Sequence, residues 1–355
     1  MNGFEYNYDQ VIIETAWERE EKKRRQKKLF SRVFLALFLY MLLTQVLSIV
    51  IYAVANATMS AEDYLKFSES TVWTIVLSSV TQYLIAFPIL YLMLRNLPRS
   101  RKRVKSKISV KEFIVLFAIG QALMYAGNLI GVFLNNIVGT FTGNLPENGI
   151  ESIVNDTPPA LLFLVVVVIG PIVEELICRK LMIDRLSIYG DHIAIIFSSV
   201  AFGLLHGNLY QFFYATLLGA LLGYIYAKTR DVRYSMLMHM IINFMGSIVT
   251  LQVQNSVTAF YEKLDALMSG SSVKIFSFLA DGIITYSYMN FQYGLLIAGV
   301  IALVFYIKNK KISINTDKEI YLPDNEAVKN GVLNVGAILY IIITLVFIGL
   351  SLFLT

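Results

Sequence analysis

Long apolar stretches alternate with short polar ones along the whole chain, and most of the apolar stretches share one characteristic length. Runs near 30–55, 72–94, 112–135, 159–187, 209–228, 236–254, 290–307 and 333–354 are each long enough, as helix, to cross a hydrocarbon core of ~30 Å. A shorter run occupies 192–206. Inside a bilayer each backbone N–H and C=O has to be satisfied within its own segment, so such runs predict helices and not isolated strands. The expected fold is all-α: a polytopic bundle of about 8–9 membrane helices. It divides into a basic N-terminal segment, residues 1–29, and a transmembrane helical domain, residues 30–355. Within the first segment, Val11, Ile12, Ile13, Ala16 and Trp17 form a weak amphipathic face ahead of the basic run Lys22 to Lys28.

The polar segments set the orientation. The three predicted to lie outside, 56–71, 136–158 and 255–289, hold only Lys66, Lys263 and Lys274 of the 30 lysines and arginines. That asymmetry predicts a cytosolic N-terminus in a multi-pass protein of the cell membrane. Composition agrees: 56% of the 355 residues are hydrophobic, and the mean hydropathy of +0.62 is too high for an ordinary soluble domain. The net charge of +5 does not point to nucleic acid, because the charges stand in blocks between apolar runs. A single cysteine, Cys178, excludes an intrachain disulfide framework. The polar, basic first 29 residues do not read as a cleavable signal peptide.

The chemistry stands out against this apolar background. The run from Val166 to Arg179 places Gly170-Pro171, then Glu174-Glu175 and Arg179, in a membrane segment. Carboxylates at that depth are expensive, so they mark a functional site by default. Two further signals follow, Phe202-x-x-x-His206 and His239-x-x-x-Asn243, each with the i, i+4 spacing that puts two side chains on one helical face. A depth argument brings them together. Glu174 lies 16 residues before the turn at Gly190 and His206 lies 16 after it, so at ~1.5 Å per residue both stand roughly 24 Å from that turn. His239 and Asn243, on the helix leaving the loop 228–233, lie about 10–15 Å up. One buried polar site between helices 4, 5 and 7 is expected.

Consecutive residues point about 100° apart on a helix, so Glu174 and Glu175 cannot both serve one atom. Glu175 is well placed to pair with Arg179 at i+4, leaving Glu174 as the chemical carboxylate. His206 ends the short helix beside the turn Gly207-Asn208. His239 and Asn243 aim donors at one point, an arrangement suited to an oxyanion. Phe202 reads as a packing residue lining the cavity, His192 as an interfacial residue, and Gly219-x-x-x-Gly223 as a close helix contact. Metal dependence stays open on the residues alone. Glu174, His206 and His239 make a plausible Glu/His₂ zinc set, yet no HExxH-type spacing is present.

In this order and at these spacings, Glu174-Glu175-x-x-x-Arg179, Phe202-x-x-x-His206 and His239-x-x-x-Asn243 resemble the CPBP family. These are the CAAX-protease and bacteriocin-processing (Abi) membrane proteins, which include the type II CAAX prenyl endopeptidases. The resemblance covers roughly residues 115–255. Lys180 stands where the family often has glycine, and Cys178 where it often has an aromatic. The resemblance implies an intramembrane endopeptidase acting on a membrane-associated peptide or protein. Glu174 and His206 would activate water, His239 and Asn243 would form the oxyanion hole, and Glu175 and Arg179 would hold the site. It also implies a glutamate mechanism that requires no cofactor, with zinc as the alternative. Two other classes compete: an inactive scaffold or immunity-type relative, against which every motif position is filled, and a proton-coupled transporter, for which no internal repeat is found.

Overall fold

A computed structural model describes residues 15–101, 105–143, 145–146, 149–309, 311–312, 314 and 317–353. Among the described residues nine apolar helices build the bundle: α1 (Ala16–Thr58), α2 (Thr71–Leu94), α3 (Val110–Thr142), α4 (Pro159–Tyr189), α5 (Asp191–Leu205), α6 (Leu209–Thr229), α7 (Val232–Met268), α8 (Ile275–Lys308) and α9 (Val335–Phe353). All but α5 are long and apolar enough to cross a membrane, and the chain is a multi-pass membrane protein. Local sequence sets the ends. Thr15 and Glu18 form a reciprocal capping box on α1. Ser109, Asn208 and Asp231 accept backbone N–H bonds at the starts of α3, α6 and α7.

Two segments differ from the hydropathy reading. No break falls at position 29: the basic residues 22–28 already belong to α1 and run straight into the span. Of the proposed amphipathic face, Ala16 and Trp17 sit in the first turn of α1, whereas Val11, Ile12 and Ile13 lie outside the described residues. The stretch 255–289, expected as an outside loop, is mostly helix, because α7 continues to Met268 and α8 starts at Ile275. Once clear of the hydrocarbon, a helix has no need of an unbroken apolar sequence. Here the two extensions hold each other, with Phe260 stacked on Phe278 at 5.0 Å and Lys263 paired with Asp281.

The short helix α5 packs into the middle of the assembly, buried except for a stripe at Ile196 and Val200. One apolar cluster joins it to α1, α2, α4 and α9, and a second joins α3, α6 and α7. Polar ties cross between helices where a donor or acceptor would otherwise be stranded. Tyr340 of α9 donates to the Ala201 carbonyl at 2.7 Å, and Tyr226 of α6 donates to Asp184 at 2.7 Å. Gly219 and Gly223 allow α6 to press on α5: a Cβ at Gly219 would stand 3.1 Å from the Ser199 backbone.

The basic end of the bundle is organised by ion pairs. Arg230 grips both oxygens of Asp191 at 2.6 and 2.5 Å, and His192 meets Asp324 at 2.9 Å. Hydrogen bonds from the Arg233 side chain hold the Asp231 carboxyl down at about 2.

The closest backbone approach tests the packing between α1 and α9. Gly336 donates its N–H to the Ser31 hydroxyl at 3.0 Å, and a Cβ on Gly336 would run into the Ser31 carbonyl. Gly336→Val is expected to lower stability by about 1–3 kcal/mol through overpacking, read as a lower unfolding midpoint in detergent. An unchanged midpoint would mean the two helices are not packed this closely.

Candidate active site

The backbone of α4 is what presents the acids. Two π-helical stretches, Phe163–Ile169 and Leu176–Ile183, flank one α-helical turn, Gly170–Glu175. Widened turns of this kind are frequent at functional sites. Pro171 explains the first. In the π register Gly170 donates to the Val165 carbonyl. The next partner in that register would be Pro171 to Val166, and proline has no N–H. Asn243 of α7 fills the gap: its side-chain amide donates to the Val166 carbonyl at 2.9 Å. Asn243 thus ties α7 to the point where α4 is widened, besides lining the cavity described below.

The two glutamates separate as their helical phase dictates. Glu175 and Arg179 are fully buried and form an ion pair at 3.1 Å. The Arg179 guanidinium also lies 5.1 Å over the ring of Phe202 and reaches the Gly219 carbonyl at 3.4 Å. The second oxygen of Glu175 stands 3.2 Å from Nδ1 of His239. A carboxylate accepts only, so Nδ1 carries the proton and Nε2 is turned the other way, towards Glu174 at 3.6 Å. Glu174 differs from its neighbour in being 29% exposed. His206 caps the end of α5, where Gly207 takes a left-handed conformation at φ +63°. Its Nδ1 lies 2.9 Å from the Phe202 carbonyl, an acceptor, which leaves Nε2 without a proton in the neutral ring.

Phe202 has a larger part than the sequence implies. Its ring meets His206 edge-on at 5.1 Å and His239 edge-on at 5.6 Å. With Arg179 on its face, it is the platform that spaces the two imidazoles. All seven residues singled out from the sequence are brought together: Glu174, Glu175, Arg179, Phe202, His206, His239 and Asn243. Among the described residues no three His, Cys, Asp or Glu side chains are grouped to hold a metal ion.

Glu174, His206, His239 and Asn243 open on a cavity of about 590 Å³ between α3, α4, α6, α7 and α8. That is within the usual size range for a ligand site. Tyr83 of α2 is a lining residue the sequence did not single out. A Cβ at Gly170 would come 3.3 Å from the Tyr83 hydroxyl and 3.9 Å from Oε1 of Glu174, so Gly170 keeps the space between these groups open. A tyrosine in an apolar span carries no signal of its own.

Helical bundle and buried glutamate–histidine set together define a membrane protein with an intramembrane polar site. Residues 156–245, the segment holding every one of the seven, match the family described as "Type II CAAX prenyl endopeptidase Rce1-like". The chain is also 28% identical over 183 residues to the Bacillus subtilis (strain 168) protein named "Putative membrane peptidase YdiL", covering 49% of this chain and 71% of that relative. Both similarities point to the CPBP, or CAAX-protease, family for the segments that they cover. No solved structure matches it.

Removing Arg179 alone would leave Glu175 as an uncompensated buried charge. Arg179→Met is expected to destabilise the fold by about 3–5 kcal/mol, and Glu175→Leu with Arg179→Met to recover most of that loss. Thermal unfolding of the three proteins in detergent checks it; equal losses in the single and double variants would contradict the pairing.

Proposed function

We propose that the protein is an intramembrane endopeptidase hydrolysing a peptide bond of a membrane-associated protein or peptide. The observation that carries this is the position of Glu174: a carboxylate open to a 590 Å³ cavity at membrane depth, 3.6 Å from an imidazole whose far nitrogen rests on a second, buried carboxylate. That order, acid–imidazole–acid, resembles the logic by which a buried carboxylate fixes the tautomer and aim of a catalytic histidine. The family match over residues 156–245 and the similarity to a protein named as a membrane peptidase support the same reading.

In the proposed reaction Glu174 accepts a proton from a water positioned by Nε2 of His206. The water oxygen bonds to the scissile carbonyl carbon, and the carbonyl oxygen takes the negative charge. His239 from Nε2 and Asn243 from its remaining N–H donate to that oxygen. For His239 to donate there while Nδ1–H stays on Glu175, the ring carries both protons, and its charge stands between two carboxylates. Collapse breaks the C–N bond, and the proton held by Glu174 leaves on the amine. Glu175, Arg179 and Phe202 touch no reacting atom in this scheme and position those that do. We further propose that the basic end, with the N-terminus, faces the cytosol, following the lysine and arginine asymmetry.

Purified protein incubated with a panel of quenched membrane peptides is expected to cleave at least one of them. Glu174→Gln is expected to lower kcat by about 10²–10⁴-fold, and a strong zinc chelator to leave the wild-type rate unchanged. Wild-type rates in Glu174→Gln overturn the reading. Loss on chelation, restored by zinc, would replace the glutamate mechanism with a metal one.

A further inference from the structure

Glu174 and His206 face two cavities. Besides the large one, they line a space of about 90 Å³ on their other side, bounded by α1, α2 and α9. No other residue borders both. The small cavity cannot admit a peptide, but a single water needs only about 10–15 Å³ of such space, so there is room for several. Its polar lining comes from outside the family-matched segment: Tyr40, Thr44 and Gln45 of α1, and Gln82 of α2.

These residues are costly where they stand. Thr44 satisfies its donor on the Tyr40 carbonyl at 2.9 Å, which leaves its oxygen free to accept. The side-chain amides of Gln45 and Gln82 make no hydrogen bond to the described residues. A primary amide facing hydrocarbon loses several hydrogen bonds at once, whereas one facing water loses none. Both glutamines line the cavity that reaches the catalytic acid. The backbone repeats the arrangement seen in α4, since Gln82 lies in a π-helical stretch of α2, Val80–Ala86.

We propose that this second cavity is a water compartment that supplies Glu174 and His206 from the side opposite the substrate. The inference rests on the peptidase reading for its purpose, but not for its physical content. Each turnover consumes one water, and a substrate filling the large cavity would block water from that side. A separate hydrated store lets the nucleophile arrive while the substrate is seated. Gln45, Gln82 and Thr44 act as positioning residues, because they touch water and not the scissile bond.

The test separates hydration from activity. Gln45→Cys and Gln82→Cys, made one at a time, are treated with a small water-soluble methanethiosulfonate in membranes. Val46→Cys and Val50→Cys, exposed on α1 and turned about 100° and 140° away from Gln45, serve as lipid-facing controls, and the parent protein, whose only cysteine is the buried Cys178, gives the baseline. Gln45→Cys and Gln82→Cys are expected to react at least about tenfold faster than the controls, since the reactive thiolate forms only in water. Reaction no faster than the controls means a dry cavity and overturns the proposal, whether or not the protein is a peptidase. Fast labelling together with wild-type activity in Glu174→Gln would instead sink the peptidase reading and leave the compartment standing. In active protein, Gln45→Leu with Gln82→Leu is expected to lower kcat at least about tenfold with KM nearly unchanged. Unchanged kcat in that double variant would overturn the supply role.

Discussion

Everything at the centre of this molecule depends on keeping one buried carboxylate in company. Glu175 has no access to solvent, and an isolated charge in such surroundings is several kcal/mol out of balance. Arg179 supplies the opposite charge from the next turn, His239 supplies a proton from another helix, and Phe202 offers its ring face to the guanidinium. Each of those partners sits on a different element, so satisfying one acid fixes α4, α5 and α7 relative to each other. The Gly219 carbonyl extends the same network to α6. The exposed acid beside it, Glu174, inherits a defined position without needing partners of its own. A rigid, dry pair thus leaves its neighbour free to face the cavity.

Much of this was legible in the sequence, and for a clear reason. Charges in hydrocarbon are rare, so Glu174, Glu175 and Arg179 announce themselves, and helical geometry alone turns the two acids into different surroundings. The equal spacing of Glu174 and His206 from Gly190 required only a fixed rise per residue and a turn at the glycine, where the backbone is at φ +109°. The spans followed from hydropathy. What hydropathy misread was the stretch 255–289, where Asn255, Glu262, Lys263 and Asp265 interrupt the apolar pattern although the helix does not end. Hydropathy reports where lipid is, not where helix stops.

Other features leave no trace in a linear reading. Tyr83, Gln45 and Gln82 are single polar or aromatic residues in long apolar runs, and only the packing of α1 and α2 against α4 brings them to the site. Phe202 looked like filler because aromatic residues usually are. Its importance lies in having three cationic or ionisable neighbours around one ring, a relation that needs coordinates. The π-helical stretches are also hidden, although Pro171 hints at the first by lacking the N–H the ladder needs.

The bond from Asn243 to the Val166 carbonyl joins two things usually kept apart, a helix irregularity and a side chain of the cavity wall. The irregularity in α4 is stable because the amide completes it, and the amide is aimed because the irregularity holds it. Were α4 to straighten across Pro171, Val166 would withdraw and the amide would lose its aim in the same movement. Backbone shape and chemical competence at this point form a single mechanical coordinate, so a bulky segment wedged between α4 and α7 acts on both at once.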